Sequence, residues 1–181
     1  MHKIAILGSD DFGNALSIKK FFKNDDIEFC HITNENNLED FFNQNKFNLI
    51  VLSGFKGVLK PEIIEQGVFL NIHDSLLPNY NVENPIEEAF NNKEKITGVS
   101  VYLMQKNPEA LIVISQQAVE ISENLSLEDL KQKIKNAENY LYPRVIEELL
   151  FSENVACKKE GGCSGSGCSD SGCGGNCGGC G

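Results

Sequence analysis

Apolar residues follow two rhythms along this chain, and the rhythms take turns. Residues 3–8 (KIAILG) form a short apolar run ending in glycine, the pattern of a strand buried on both faces of a parallel sheet. Over residues 11–24 the spacing changes: Phe12, Ala15, Leu16, Ile18, Phe21 and Phe22 fall close to one helical stripe. Residues 27–33 alternate Ile27, Phe29 and His31 against Glu28, Cys30 and Ile32, which predicts a strand. A short helix is expected over 37–45. The run NLIVLSG at 48–54 is the clearest strand signal of the chain. Residues 61–66 open with proline at a first-turn position of a helix, 68–73 read as a strand, and 83–91 as a short helix with Pro85 near its start.

Two longer strands follow. Residues 96–104 alternate Val99, Val101 and Leu103 against Gly98, Ser100 and Tyr102, and 111–121 can pair with them across a turn at Asn107-Pro108. Ser126 and Asp129 form a variant capping box. It opens a helix in which Leu127, Leu130, Ile134, Ala137 and Leu141 recur at steps of three and four, and Val145 and Leu149 extend the stripe. Pro143 is expected to kink it. Strand and helix alternate in order, so the expected fold class is α/β: a Rossmann-like, mostly parallel sheet with helices on both faces and some mixed pairing at the end.

Composition divides the 181 residues unequally. The formal charge of −10, from 16 Lys+Arg and 26 Asp+Glu, belongs to the body, residues 1–156. Residues 157–181 form a neutral Gly/Ser/Cys-rich tail, expected to be a disordered, flexible coil, and hold six of the seven cysteines. An acidic body with one arginine, Arg144, is a poor match for nucleic acid or an anionic membrane. No run of about 18 apolar residues predicts a membrane span. The opening residues do not read as a signal peptide, so the expected location is cytoplasmic, where thiols stay reduced. His31 and Cys30 on the second strand read as structural, and His2 as solvent-facing.

Candidate chemistry sits after the strands, where open α/β sheets hold their sites. Gly8 and Gly13 bracket a strand-to-helix turn that is not a dinucleotide fingerprint. Asn71 and His73 stand at i and i+2 near a strand end, so their side chains share a face. An amide donor beside an imidazole suits a developing oxyanion and a moving proton.

The stretches LIVLSGFKGVLKPEII, LNIHDSLLPNY, NPIEEAF and TGVSVYLM, in that order, resemble the folate-dependent formyltransferase family, which includes glycinamide ribonucleotide and methionyl-tRNA formyltransferases. GSDDFG at the start and YPRVIEEL in the last helix resemble parts of the same family, so the likeness spans residues 1–151. It implies formyl transfer from 10-formyltetrahydrofolate to a small-molecule amine. Asn71 is implied to donate to the oxyanion and His73 to carry the proton or charge. A carboxylate, Glu109 by ungapped counting where the family has Asp, is implied to tune the histidine. Lys56, Gly57, Val58 and Leu59, with Ser75, Leu76, Leu77 and Pro78, are implied to lie against the folate. Asp74 stands where the family has Pro or Ala, and would raise the histidine's pKa if the two groups approached. The stretch between His31 and Asn48 is shorter than the family's by a strand and a helix. No arginine near the site can clamp a phosphate, and the acidic balance opposes tRNA.

The tail is not explained by that resemblance. Cys157, Cys163, Cys168, Cys173, Cys177 and Cys180 close up toward the end, with one CxxC at 177–180. No metal is assigned; Cys163, Cys168, Cys173, Cys177 and Cys180 are candidate soft-metal thiols. The alternative reading makes the body a catalytically degenerate leader or binding domain. Its tail would then be a modified-peptide core, served by a tail-modifying enzyme, or a soft-metal segment.

Overall fold

A computed structural model describes residues 2–8, 14–23, 27–33, 37–55, 57–107 and 110–151. In chain order the elements are β1 (His2–Leu7), α1 (Ala15–Phe21), β2 (Ile27–Ile32), α2 (Leu38–Gln44), β3 (Leu49–Leu52) and α3 (Pro61–Ile64). They continue with β4 (Phe69–His73), α4 (Pro85–Asn91), β5 (Ile96–Leu103), β6 (Ile112–Glu120) and α5 (Leu127–Phe151). One six-stranded sheet runs in the order β2-β1-β3-β4-β5-β6. The pairings β1–β2, β1–β3 and β3–β4 are parallel; β4–β5 and β5–β6 are antiparallel. The expected α/β class, with a mostly parallel sheet and mixed pairing at the end, is what the chain adopts.

Period-two alternation sorts the strand residues into two cores. Ile4, Ile6, Leu49, Val51, Leu70, Val99 and Val101 face α1 and α5, where they meet Ile18, Leu130, Ile134 and Tyr142. Ala5, Leu7, Ile50, Leu52 and Phe69 face the other way, onto Leu38 and Phe42 of α2 and Ile63 of α3. All four residues of β3 are buried, which accounts for the unbroken apolar run there: both faces of a central strand are covered.

One local expectation changes. The helix read over 11–24 is α1, Ala15–Phe21, with Asn14 before it and Phe22 after it; residues 11–13 and 24 lie outside the described residues. Phe22 leaves the helix at ψ 89° and turns its ring to Phe29, centroids 6.1 Å apart. Packing onto β2, not helical periodicity, explains that apolar position. The expected helix over the last stripe is α5, which continues in helical conformation through Pro143. Tyr142, Val145 and Ile146 beside it are buried and tie both halves of the helix to the sheet.

Three contacts lock the elements whose ends form the site. The Ser53 hydroxyl, just past β3, accepts from the backbone N–H groups of Asn14 (2.7 Å) and Ala15 (2.8 Å), so it satisfies two donors that open α1. The Tyr142 hydroxyl lies 2.9 Å from the Leu52 carbonyl and 2.8 Å from that of Leu70, placing one donor between β3 and β4. Gly8 adopts φ +141°, and a Cβ there would stand 2.0 Å from the Ser53 carbonyl oxygen. Only glycine fits where the end of β1 meets the chain leaving β3.

Candidate functional site

The site begins with the parity of β4. Phe69, Asn71 and His73 share one face of the strand; Leu70, Ile72 and the next residue, Asp74, take the other. Opposite them in β5, Asn71 pairs with Tyr102 and His73 with Ser100. The cross-strand rule therefore predicts contact between these side chains, and two hydrogen-bond groups follow from it.

Asn71 Nδ2 donates to the Tyr102 hydroxyl at 2.8 Å, and its Oδ1 accepts from the Ile72 N–H at 2.9 Å. The amide orientation is thus held at both ends, and the second N–H of Nδ2 is left for a ligand. Burial pushes the Tyr102 phenol up, against the lowering effect of Asn71, so Tyr102 stays protonated at neutral pH. A register shift between Val101 and Tyr102 in the β5–β6 ladder lies beside this contact; such irregularities re-aim side chains next to sites.

His73 Nε2 is 3.0 Å from the Tyr80 carbonyl oxygen. A carbonyl only accepts, so Nε2 carries the hydrogen and Nδ1 is the nitrogen left to exchange a proton. Ser100, fully buried, pins the loop after His73. Its Oγ donates to the Ser75 carbonyl at 2.6 Å and accepts from the Leu77 N–H at 2.9 Å and from Gln116 Nε2 at 2.7 Å. Gln116 also reaches the Leu77 carbonyl, at 3.0 Å, and Ser75 Oγ donates to the Asn79 carbonyl at 2.7 Å. A Cβ on Gly98 would stand 2.1 Å from the Gln117 carbonyl oxygen and 2.7 Å from the Leu76 side chain. The Thr-Gly-Val-Ser segment therefore supplies a close strand approach at Gly98 and the loop anchor at Ser100.

Asp74 does not turn toward His73. The alternation that joins Asn71 to His73 sends it to the α5 side, where it meets Glu138 and Lys135. Lys135 Nζ bridges the Asn14 Oδ1 (2.8 Å) and Glu138 Oε2 (2.9 Å). Burial first, then a hydrogen bond with Glu138 and the negative charge of Glu138, push the Asp74 carboxyl up to about 8; Lys135 opposes the shift. Two carboxyls hydrogen-bond only when one holds a proton, and the raised value assigns that proton to the Asp74 side at neutral pH. Asp74 Oδ1 is buried and has no hydrogen-bond partner among the described residues.

A cavity of about 500 Å³ wraps the end of β4. Its wall includes Asn14, Asn71, Asp74, Lys131, Lys135 and Glu138. Lys131 is also paired with Glu87 of α4 at 2.9 Å. The strand end thus brings an oriented amide, a proton-holding carboxyl pair and two cations to one opening. A separate hollow of about 280 Å³ lies on the other side of the sheet, lined by Phe55, Val58, Lys60 and Ile63 among others.

Of the residues expected from the sequence, Asn71 and His73 stand together as foreseen. Leu59 is buried in the α2–α3 core, whereas Val58 is 96% exposed and Gly57 half-buried. Ser75 and Leu77 are buried, Leu76 is half-buried and Pro78 exposed. Lys56, Glu109 and all five candidate thiols of the tail lie outside the described residues. Among the described residues no group of three or more His, Cys, Asp or Glu is placed to hold a metal, and no helix is long and apolar enough to cross a membrane. Tyr102, Lys135 and Glu138 were not foreseen. Glu138 did leave a mark: it falls four residues after Ile134 and three before Leu141, a charge inside the apolar stripe.

An α/β sheet with polar groups gathered past its parallel strands, among them an Asn–His pair beside an anchored loop, has the arrangement in which open sheets hold ligand sites. Residues 3–146 match the Formyl transferase family, and the chain belongs to it. It is 31% identical over 112 residues to phosphoribosylglycinamide formyltransferase of Bacillus subtilis (strain 168), covering 61% of this chain and 57% of that protein. Over 112 residues it is 29% identical to the human trifunctional purine biosynthetic protein adenosine-3, covering 61% of this chain and 11% of that protein. The match thus spans little more than half of the bacterial relative and a small part of the human one. The solved phosphoribosylglycinamide formyltransferase of Bacillus halodurans superposes with a TM-score of 0.71 at 25% identity, covering 84% of this chain and 98% of that one. The Coxiella burnetii enzyme of the same name gives 0.68 at 26% identity, over 80% and 85%.

Proposed function

We propose that this protein transfers a formyl group from 10-formyltetrahydrofolate to the amine of glycinamide ribonucleotide. The observation that carries the reading is the placement of Asn71 and His73 on one face of the end of β4, with Asn71 in the wall of the 500 Å³ cavity. The relatives' names supply the acceptor. The shortage of arginine argued against a phosphorylated acceptor, but Lys131 and Lys135 in the cavity wall supply positive charge of their own.

The chemistry follows from the groups present. The acceptor nitrogen attacks the formyl carbon, a C–N bond forms, and the carbonyl electron pair moves to oxygen. The free N–H of Asn71 donates to that oxyanion, a contribution worth about 10²–10³ in rate for one such donor. The intermediate collapses by breaking the bond from the formyl carbon to the folate nitrogen. His73 Nδ1 carries the proton lost by the acceptor nitrogen to the departing one, with Glu109 assigned to tune it. Lys56, Gly57, Val58 and Leu59 and the loop 75–78 take the folate, for which the exposed Val58 offers an apolar contact. The reading is tested by incubating the protein with 10-formyltetrahydrofolate and glycinamide ribonucleotide and following release of tetrahydrofolate. Release that requires the acceptor, and that falls at least about 10²-fold in His73→Ala, is expected. Release without acceptor dependence, or no release, rejects it.

A further inference from the structure

A proton carrier has to present one nitrogen and hold it in one direction. A neutral imidazole has two nitrogens, and its hydrogen can sit on either. His73 settles the choice through one bond, from Nε2 to the Tyr80 carbonyl at 3.0 Å. The direction of His73 Nδ1 is therefore only as well defined as the backbone of Tyr80.

Tyr80 stands in a conformation that needs support. Its φ is +52°, in the left-handed region that a bulky L residue rarely adopts. Such a conformation persists where its surroundings over-determine it. The peptide before Tyr80 is held by Ser75 Oγ, which donates to the Asn79 carbonyl at 2.7 Å, and the Asn79 N–H donates to the Leu76 carbonyl at 3.1 Å. The ring is held from a different part of the chain. The Tyr80 hydroxyl donates to Glu94 Oε1 at 2.6 Å and accepts from Asn92 Nδ2 at 3.3 Å. The hydrogen bond to Glu94 pushes the phenol up, with Asn92 opposing, so the donor keeps its hydrogen at neutral pH.

Asn92 and Glu94 are fixed in turn by the way α4 ends. The Lys93 N–H donates to the Phe90 carbonyl and the Glu94 N–H to the Ala89 carbonyl, both at 3.1 Å, around a left-handed Lys93 at φ +55°. That pair of bonds is a Schellman cap, and Ala89 beneath it is fully buried. Glu94 thus projects from a closed helix end. The proposed transfer uses neither its carboxylate nor the Tyr80 ring.

We propose that Glu94, with Asn92, is a positioning residue for formyl transfer: it holds the Tyr80 ring, so that the Tyr80 carbonyl keeps the hydrogen of His73 on Nε2 and leaves Nδ1 for the reacting proton. The inference rests on the formyl-transfer reading for the use made of that proton. The Tyr80–Glu94 contact is open to solvent, so its loss spreads the orientation of the histidine and leaves the fold in place.

The test reads the tautomer directly. The full chain has three histidines, His2, His31 and His73, so a long-range proton–nitrogen spectrum of nitrogen-15-labelled protein resolves each ring, and His73→Ala assigns the signals. At a pH where the ring is neutral, wild-type His73 is expected to carry its hydrogen on Nε2. In Tyr80→Phe and Glu94→Ala its two nitrogen signals should move toward the average of mixed tautomers. In the turnover assay kcat should fall about tenfold, less than the loss of the proton carrier itself, while KM for both substrates stays within about twofold. Glu94→Gln, whose side-chain oxygen still accepts from the hydroxyl, should restore both readouts. Thermal unfolding verifies that each variant is folded. A wild-type His73 with its hydrogen on Nδ1, signals unchanged in both variants, or an unchanged kcat in an active enzyme overturns the proposal. Signals that shift as expected in a protein that releases no tetrahydrofolate would overturn the formyl-transfer reading alone.

Discussion

Replacing Ser100 by alanine tests whether one hydroxyl fixes the loop that follows His73. The side chain is fully buried, and its oxygen serves the Ser75 carbonyl, the Leu77 N–H and Gln116 Nε2 at once. Alanine removes the donor to Ser75 and the acceptor for Leu77. Gln116 keeps its bond to the Leu77 carbonyl, so only the two backbone groups are stranded. At about 1–3 kcal/mol for each buried orphan, the loss is about 2–6 kcal/mol. For a body of this length, about 2–4 °C accompanies each kcal/mol, so the melting temperature should fall by roughly 4–24 °C. The chain has no tryptophan, so far-UV circular dichroism is the suitable probe. Because the loop carries the Tyr80 carbonyl that fixes His73, kcat of formyl transfer should fall as well. A melting temperature within about 2 °C of wild type would show that the three bonds do not hold the loop.

Three further outcomes are expected. Tyr142→Phe removes the donor shared by the Leu52 and Leu70 carbonyls and should cost about 1–3 kcal/mol in urea unfolding; an unchanged midpoint refutes the clamp. Asn71→Ala should lower kcat about 10²–10³-fold with the fold intact by circular dichroism, and a loss below tenfold would remove Asn71 from the oxyanion role. Asp74 titrates at its ordinary 3.8 when unfolded and at about 8 when folded. The folded state binds the extra proton between those values, so its stability falls as pH rises through that window, by up to about 1.4 kcal/mol per pH unit. Asp74→Asn should therefore be more stable than wild type at and above pH 8, with the gain shrinking toward pH 4; parallel pH–stability curves would contradict it.

The strands were legible because their signals are local. In β3 a run of four buried residues reads directly from composition, and the alternation in β5 separated Val99 and Val101 from Ser100 and Tyr102 before any pairing was known. Strand order was not legible: β1, β3 and β4 are similar apolar runs, and their neighbours are chosen by packing between distant segments. The end of α1 was misread because Phe22 extends a helical stripe while belonging to a contact with Phe29. At the site, Asn71 and His73 could be paired because parity is a property of adjacent residues. Asp74 was read against its neighbour His73, but its partner Glu138 lies 64 positions later on α5, beyond the reach of any local pattern. The stripe position of Glu138 hinted at a buried charge without naming what it would meet.

The position of the site at the end of β4 has a consequence for how the chain can vary. Within a strand, odd and even residues address opposite sides of the sheet and never share a ligand. Past the last β3–β4 pair, Val51 with Leu70, that partition ends on this side, and Asn71 and Asp74, of opposite parity, line one opening. A single inserted residue between Leu70 and Asn71 would exchange the two sides, sending the amide toward α5 and the carboxyl toward the α2–α3 face. Substitutions can adjust this cavity gradually; a change of one in the length of β4 would invert it in a single step.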